Sequence, residues 1–217
     1  PYVVEMRRDF HRHPEASFEE FRTTRRIAEE LDKMGIPYRL FEPTGLVGEI
    51  KGGKPGKCIA LRADIDALTT TEKTGLPYAS ENEGYMHACG HDTHTAMLLG
   101  AAKILSSVKD ELCGTVKLIF QPAEELASGA KCIVEQGVLD GVDAAFGQHI
   151  FSRRPAGSLS LSEGTLHPAA DYFKLTVTGK ASHGALPDEG IDATVAASAI
   201  VLALQTISSR EFSPLDP

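Results

Sequence analysis

Read as a pattern of apolar and polar positions, the chain switches repeatedly between two periods. Phe18, Phe21, Ile27, Leu31 and Met34 recur at helical spacing, as an amphipathic helix with one buried stripe requires. Ser17 followed by Glu20 is a capping-box pattern, Gly35 is a stop residue, and Pro37 bars continuation, so a helix is expected over Ser17–Met34. Short apolar runs then predict strands at Tyr38–Phe41, Leu46–Ile50 and Cys58–Ala63. A long polar loop follows from Leu68 to His87. After it come a helix over Asp92–Val108, a strand at Val116–Phe120, a helix at Gly129–Glu135 and a strand at Ala144–His149. Strands alternating with helices predict an α/β fold: a mostly parallel sheet flanked by helices.

The pattern changes near Asp171. Tyr172–Thr178 alternates like a half-exposed strand, and Ile191–Ser208 reads as one long helix of Ala, Val, Ile and Leu. One strand and one helix do not close a two-sided core, so residues 170–217 are expected to be the incomplete start of a second domain after a first domain of residues 1–169.

Composition narrows the partners. With 22 basic and 30 acidic residues among 217, the chain carries a formal charge of −8 and has no basic run, which argues against nucleic acid and anionic membrane surfaces. No apolar run approaches the roughly 20 residues of a membrane-spanning helix. The four cysteines, Cys58, Cys89, Cys113 and Cys132, fit neither a disulfide scaffold nor a zinc-knuckle spacing. That points to a reducing, cytoplasmic compartment. Cys58, Cys113 and Cys132 are expected as small core residues. The chain opens on Pro1 rather than Met and shows no secretion signal at its start, which leaves a preceding targeting peptide open.

Candidate chemistry collects at predicted strand ends. Asp64 and Asp66 close one strand, His87-Ala88-Cys89-Gly90-His91-Asp92 precedes a helix, Glu124 and Glu125 follow another strand, and His149 ends a third. In α/β folds such ends converge on one cleft. Cys89 and His91, two apart with Gly90 between, suit one zinc-like ion; a buried free cysteine beside a helix-capping pair explains them equally well. Glu124 and Glu125 cannot both ionise comfortably in a closed site without a cation. One suits a metal and the other a general base, the alternative being a solvated acidic pair at a helix start. His149 reads as a ligand or as a satisfied rim residue. Asp64 and Asp66 share a face and read as ligands, as supports for ligand histidines, or as turn formers. His11, His13, His87 and His94 are further candidates, with His94 one turn beyond His91 and expected behind the ligands.

Five blocks in order then resemble a known family: Arg7-Arg8-Asp9-Phe10-His11-Arg12-His13-Pro14-Glu15, Leu61-Arg62-Ala63-Asp64-Ile65-Asp66-Ala67-Leu68, Met86-His87-Ala88-Cys89-Gly90-His91-Asp92, Gln121-Pro122-Ala123-Glu124-Glu125 and Gly179-Lys180-Ala181-Ser182-His183-Gly184. They resemble the M20 metallopeptidases, and most closely the aminoacylase-like and hippurate-hydrolase-like branch that includes plant hydrolases of auxin–amino acid conjugates. The resemblance implies a zinc-exopeptidase-like catalytic domain with two divalent ions (Zn, Mn, Co or Ni), followed by an α+β lid that forms a homodimer interface. It implies Cys89, His91, Glu125 and His149 as metal ligands, Glu124 as general base, Asp66 as the acid supporting the metal site, and His183 as a lid histidine that stabilises the oxyanion across the dimer. The implied reaction is hydrolysis of the amide bond of N-acyl amino acids or related small conjugates. A dipeptidase or carboxypeptidase on the same scaffold, and a non-catalytic metal-binding or dimerisation fragment, are the alternatives. Family members run further and carry another ligating histidine in their continuation, so this chain by itself is expected to hold an incomplete site.

Overall fold

The computed structural model describes residues 1–161, 163–164 and 173–207. The chain divides into two compact units, Pro1–Arg154 and Pro155–Pro217. The expected boundary at residues 169 and 170 lies outside the described residues.

The first unit contains α1 (Tyr2–Arg12), α2 (Phe21–Lys33), β1 (Tyr38–Leu40), β2 (Leu46–Lys51), β3 (Lys54–Asp64), α3 (His91–Ser107), β4 (Cys113–Gln121), α4 (Gly129–Glu135) and β5 (Ala144–Gly147). The sheet order is β1-β2-β4-β3-β5. β3 pairs in parallel with β4 and with β5, whereas β1–β2 and β2–β4 are antiparallel. The α/β class holds, but the sheet is mixed rather than mostly parallel. The connection between β1 and β2 is too short for the crossover that a parallel pair needs.

Alternation along the strands sorts side chains into two cores. Leu46, Ile50, Leu118 and Phe120 face α1, α2 and α3, where they meet Met6, Phe10, Ile27, Leu31 and Leu99. Val47, Ala60 and Ile119 face the other way and pack with Phe41, Ile133 and Val138 beneath α4. Three layers result, helices on each side of the sheet. Cys58, Cys113 and Cys132 are half-buried or exposed rather than core residues. Cys58 and Cys113 sit toward the strand starts, outside the helical cover, and the Cys132 thiol donates to the Glu42 carbonyl at 3.3 Å. α1, which the apolar pattern did not predict, buries only Met6, Phe10 and His11.

The expected capping box at Ser17 and Glu20 does not form. α2 starts at Phe21 with no side-chain cap bond. The Ser17 hydroxyl donates to Asp66 Oδ2 at 2.7 Å, and the Glu20 carboxylate turns into the core. Long-range partners have taken both local capping groups.

α1 and α2 are joined through Glu30. Its buried carboxylate accepts from Tyr2 Oη at 2.8 Å, Arg26 Nη1 at 2.5 Å and Lys33 Nζ at 2.7 Å. Burial opposes the charge, but the three donors outweigh it and hold the carboxyl at about 2 against an ordinary 4.5. A depressed folded-state pKa stabilises above the unfolded value, and that contribution disappears as the pH falls from 4.5 through about 2. Glu30→Gln is therefore expected to cost about 2 kcal/mol at neutral pH, with allowance for the exposed Lys33 ammonium. Urea titrations at falling pH should show this gap closing; a gap that stays constant to pH 2 rejects the assignment.

In the second unit, Asp192 Oδ1 accepts from the Thr194 and Val195 amides at 2.8 and 3.2 Å and starts α5 (Ala193–Thr206). This shortens the expected Ile191–Ser208 helix, whose end at Ser208 lies outside the described residues. Phe173–Thr178 forms no strand, contrary to expectation, and Tyr172 lies outside the described residues. Lys180 and Ile191 instead make a single antiparallel bridge. No helix among the described residues is long and apolar enough to cross a membrane.

Candidate metal centre

The parallel strands bring their carboxyl ends side by side. Asp64 at the end of β3 is in register with Gln121 at the end of β4, and Arg62 with Gly147 at the end of β5. Each strand then releases a loop at one edge of the sheet, where α/β folds build their sites. α3 begins at that edge with His91. Gly90 has φ +97°, and a Cβ there would collide with the Ile150 side chain, so glycine is what allows Cys89 and His91 to turn toward each other.

The loops converge. Cys89, His91 and His149 bring Sγ and two ring nitrogens within 4.8 Å of one another, and His91, Glu124 and Glu125 meet the same limit. Cys89 Sγ lies 3.2 Å from His149 Nε2. His91 Nε2 lies 3.8 Å from Glu125 Oε1 and 3.9 Å from Glu124 Oε2. His183 belongs to the second unit, is exposed, and accepts from the Ala185 amide through Nδ1 at 3.1 Å.

Hydrogen bonds decide which nitrogens are free to bind an ion. His91 Nδ1 lies 2.9 Å from the Asp66 carbonyl and 3.2 Å from Asp66 Oδ1, both acceptors. Nδ1 is therefore protonated, and the Nε2 lone pair faces the carboxylates. That Nε2 and Glu125 Oε1 are buried without a hydrogen-bond partner. His149 Nδ1 donates to the Ile150 carbonyl at 2.5 Å, which leaves its Nε2 lone pair toward Cys89.

His94 is different. Its Nδ1 donates to Asp64 Oδ1 at 2.6 Å, and its Nε2 accepts from the Ile150 amide at 2.9 Å. Although Asp64, His91 and His94 also lie within 4.8 Å, both His94 nitrogens are used. Asp64 is used as well, its Oδ2 accepting from Arg62 Nη1 at 2.8 Å. Asp66 spends one oxygen on His91 and the other on Ser17 and on the Glu125 amide at 3.0 Å. Asp64, Asp66 and His94 therefore orient the free donors rather than adding to them.

A divalent ion fits the free set. Bonds of about 2.0–2.3 Å to a tetrahedral ion place its donors about 3.3–3.8 Å apart, close to the 3.2 Å between Cys89 Sγ and His149 Nε2 and the 3.8 Å between His91 Nε2 and Glu125 Oε1. Charge agrees. The Cys89 thiol is pushed up to about 12, first by burial and then by the Glu125 and Glu124 carboxylates. Burial and Glu124 also raise Glu125, against His91. Negative groups crowded this way call for a cation.

The family model for peptidase family M20/M25/M40 matches residues 60–212. The chain belongs to this family. It is 45% identical over 98% of its length to N-acetylcysteine deacetylase of Bacillus subtilis (strain 168), covering 57% of that protein. It is 44% identical over 100% of its length to thermostable carboxypeptidase 1 of Saccharolobus solfataricus, covering 56% of that protein. Among solved structures it resembles Bacillus subtilis YXEP, described as a dinuclear metal-binding M20 peptidase, with a TM-score of 0.73, 49% identity and coverage of 75% of this chain and 46% of that one. The chain thus spans little more than half the length of the curated relatives it matches.

Burial opposes protonation of His91, but Asp66 and Asp64 outweigh it and raise its pKa. Burial alone dominates at His87, which is held down to about 4 and stays neutral. His11 lies between Asp92 Oδ2 at 2.8 Å and Glu72 Oε1 at 3.3 Å, and His13 Nδ1 bonds the Asp9 carbonyl at 2.8 Å. Two residues support the site without standing out as candidates in the sequence: Arg62, which joins Asp64 to Gln121 Oε1 at 2.8 Å, and Glu20. Arg62 stands within the β3 block and was legible as a charge in an apolar strand; Glu20 was hidden behind a plausible capping role.

Proposed function

We propose that the full-length protein hydrolyses the amide bond of N-acyl amino acids or related small conjugates with the help of two divalent ions. The observation that carries this reading is the buried, unpartnered Nε2 of His91, faced by Glu124 and Glu125 on one side and grouped with Cys89 and His149 on the other. Cys89, His91, His149 and Glu125 would hold the ions. When bound, such ions supply Lewis-acid activation of water and polarisation of the acyl carbonyl. Zn, Mn, Co and Ni all suit the mixed sulfur, nitrogen and oxygen donors.

Glu124 is the general base. Its carboxylate is more exposed than that of Glu125, with 41% of the side chain accessible against 22%, so substrate and water reach it first. It takes a proton from the attacking water at a carboxylate oxygen and returns it to the leaving amine nitrogen. Asp66 keeps His91 in the tautomer that leaves Nε2 free. His183 is assigned to the oxyanion, reaching it from a lid across a homodimer, as the family resemblance implies. A reducing, cytoplasmic setting belongs to the same reading and is supported by four free cysteines.

The relatives include both a deacetylase and a carboxypeptidase at nearly equal identity, so substrate class needs direct measurement. The full-length protein, loaded with Mn²⁺ or Zn²⁺, should release free amino acid from N-acetyl and N-benzoyl amino acids faster than it cleaves dipeptides. Faster dipeptide cleavage would move the reading to a peptidase. No metal-dependent cleavage of either class would reject it.

A further inference from the structure

We infer that Glu20 is a positioning residue for Glu124 and Glu125: its buried carboxylate holds the Pro122–Glu125 turn in the conformation that aims both acids at His91. The inference rests on the metal-site reading above.

Glu20 is 0% exposed. Its partners are an amide and a hydroxyl rather than a cation: Oε1 accepts from the Ala123 amide at 2.8 Å, and Oε2 accepts from Thr44 Oγ1 at 2.5 Å. A carboxylate buried without a counter-ion is costly to folding, and apolar residues of similar volume usually serve stability better. Stability alone therefore does not account for it, whereas its contact with this turn does.

The turn needs restraint. Ala123 has φ +48° and Ala127 φ +50°, the left-handed region that residues with a Cβ adopt only when their surroundings impose it. Two carboxylates impose it here by taking alternate amides, Glu20 the amide of Ala123 and Asp66 Oδ2 the amide of Glu125 at 3.0 Å. Glu124 stands between the two anchors. From the other side the β1–β2 connection braces Pro122. Gly45, at φ +86°, comes so close that a Cβ would stand 2.6 Å from Pro122 Cδ, and its amide is fixed by Thr24 Oγ1 at 2.9 Å. Thr44 in that connection grips the second Glu20 oxygen. Releasing Ala123 frees the turn to relax toward ordinary φ, and both acids swing with it. Misplacement of a reacting group by about 1 Å is enough to cost about 10²-fold in rate.

The test compares Glu20→Ala, Glu20→Asp and Glu20→Gln in the full-length protein, with three readouts on each. These are kcat and KM for an N-acyl amino acid, Mn²⁺ and Zn²⁺ affinity of the metal-stripped protein by calorimetric titration, and folded fraction by circular dichroism. Gln keeps an oxygen for the Ala123 amide and lets the Thr44 hydroxyl reverse, so it should stay within about 3-fold of wild type in kcat and in metal affinity. Ala offers no acceptor, and Asp is one methylene too short to reach. Both should lose about 10²-fold in kcat and about 10-fold or more in metal affinity, with KM nearly unchanged. Asp decides the matter should Ala fail to fold. Wild-type kcat and metal affinity per folded molecule in Glu20→Asp would overturn the inference, as would a Gln variant as impaired as Ala. If the wild type binds metal but cleaves no acyl amino acid, the substrate reading fails while the affinities still judge Glu20. A wild type that binds no metal overturns both.

Discussion

Glu124→Gln in the full-length protein is expected to lower kcat on N-acyl amino acids by at least about 10³-fold while leaving metal content and KM close to wild type. Gln keeps the shape and hydrogen-bonding reach of Glu but cannot take a proton at neutral pH. Glu124 Oε2 lies 3.9 Å from His91 Nε2, near enough to the free donor set to reach a water there, and its side chain is the more exposed of the two acids. Its neighbour Glu125 is differently placed: its amide is bonded to Asp66 and its Oε1 is buried without a partner. Glu125→Gln should therefore lose metal as well as rate. Metal analysis beside steady-state kinetics separates the two carboxylates. Loss of metal in Glu124→Gln, or activity above about a tenth of wild type, would exchange or abolish the assigned roles.

The second large effect concerns the ions. Stripping the full-length protein with a chelator is expected to abolish hydrolysis and lower its thermal midpoint, and Mn²⁺ or Zn²⁺ should restore both. At an ion concentration near 100 times Kd, the stabilisation of the folded state is about 2.7 kcal/mol. His91→Ala should reproduce the stripped state permanently. Among the described residues His91 is common to all three groups of candidate donors within 4.8 Å, so its loss damages every set at once. Changes to residues behind metal ligands cost about 10–100-fold in affinity, and loss of His91 itself should exceed that. The ring is fully buried, so circular dichroism beside the metal analysis separates loss of the ion from loss of the fold. A His91→Ala protein that keeps full metal content would place the ions elsewhere.

Much of this protein was readable from residues alone. Apolar periodicity located β2, β3, β4 and α4 to within a few residues, because burial on a sheet or under a helix demands that spacing from any chain. It missed α1, where only Met6, Phe10 and His11 are buried among charged neighbours. The candidate donors were visible because Cys, His and paired Glu at strand ends are few and chemically distinctive. What the donors do was not visible. His91 and His94 are both buried histidines one turn apart, yet only the contacts of their second nitrogens decide that His91 keeps a free lone pair and His94 does not.

Ser17 and Glu20 mark the same boundary. Locally they spell a helix cap, and a cap would be worth about 1 kcal/mol. In the folded chain Ser17 bonds Asp66, 49 residues away, and Glu20 bonds the amide of Ala123, 103 residues away. The sequence by itself determined the α/β class, most element positions and the residues able to bind a metal, since these follow from local period and side-chain chemistry. Only the tertiary structure decided the antiparallel half of the sheet, the tautomers of the histidines and the anchoring of the Glu124–Glu125 turn. Each of these depends on which distant donor meets which acceptor, and local period carries no record of that.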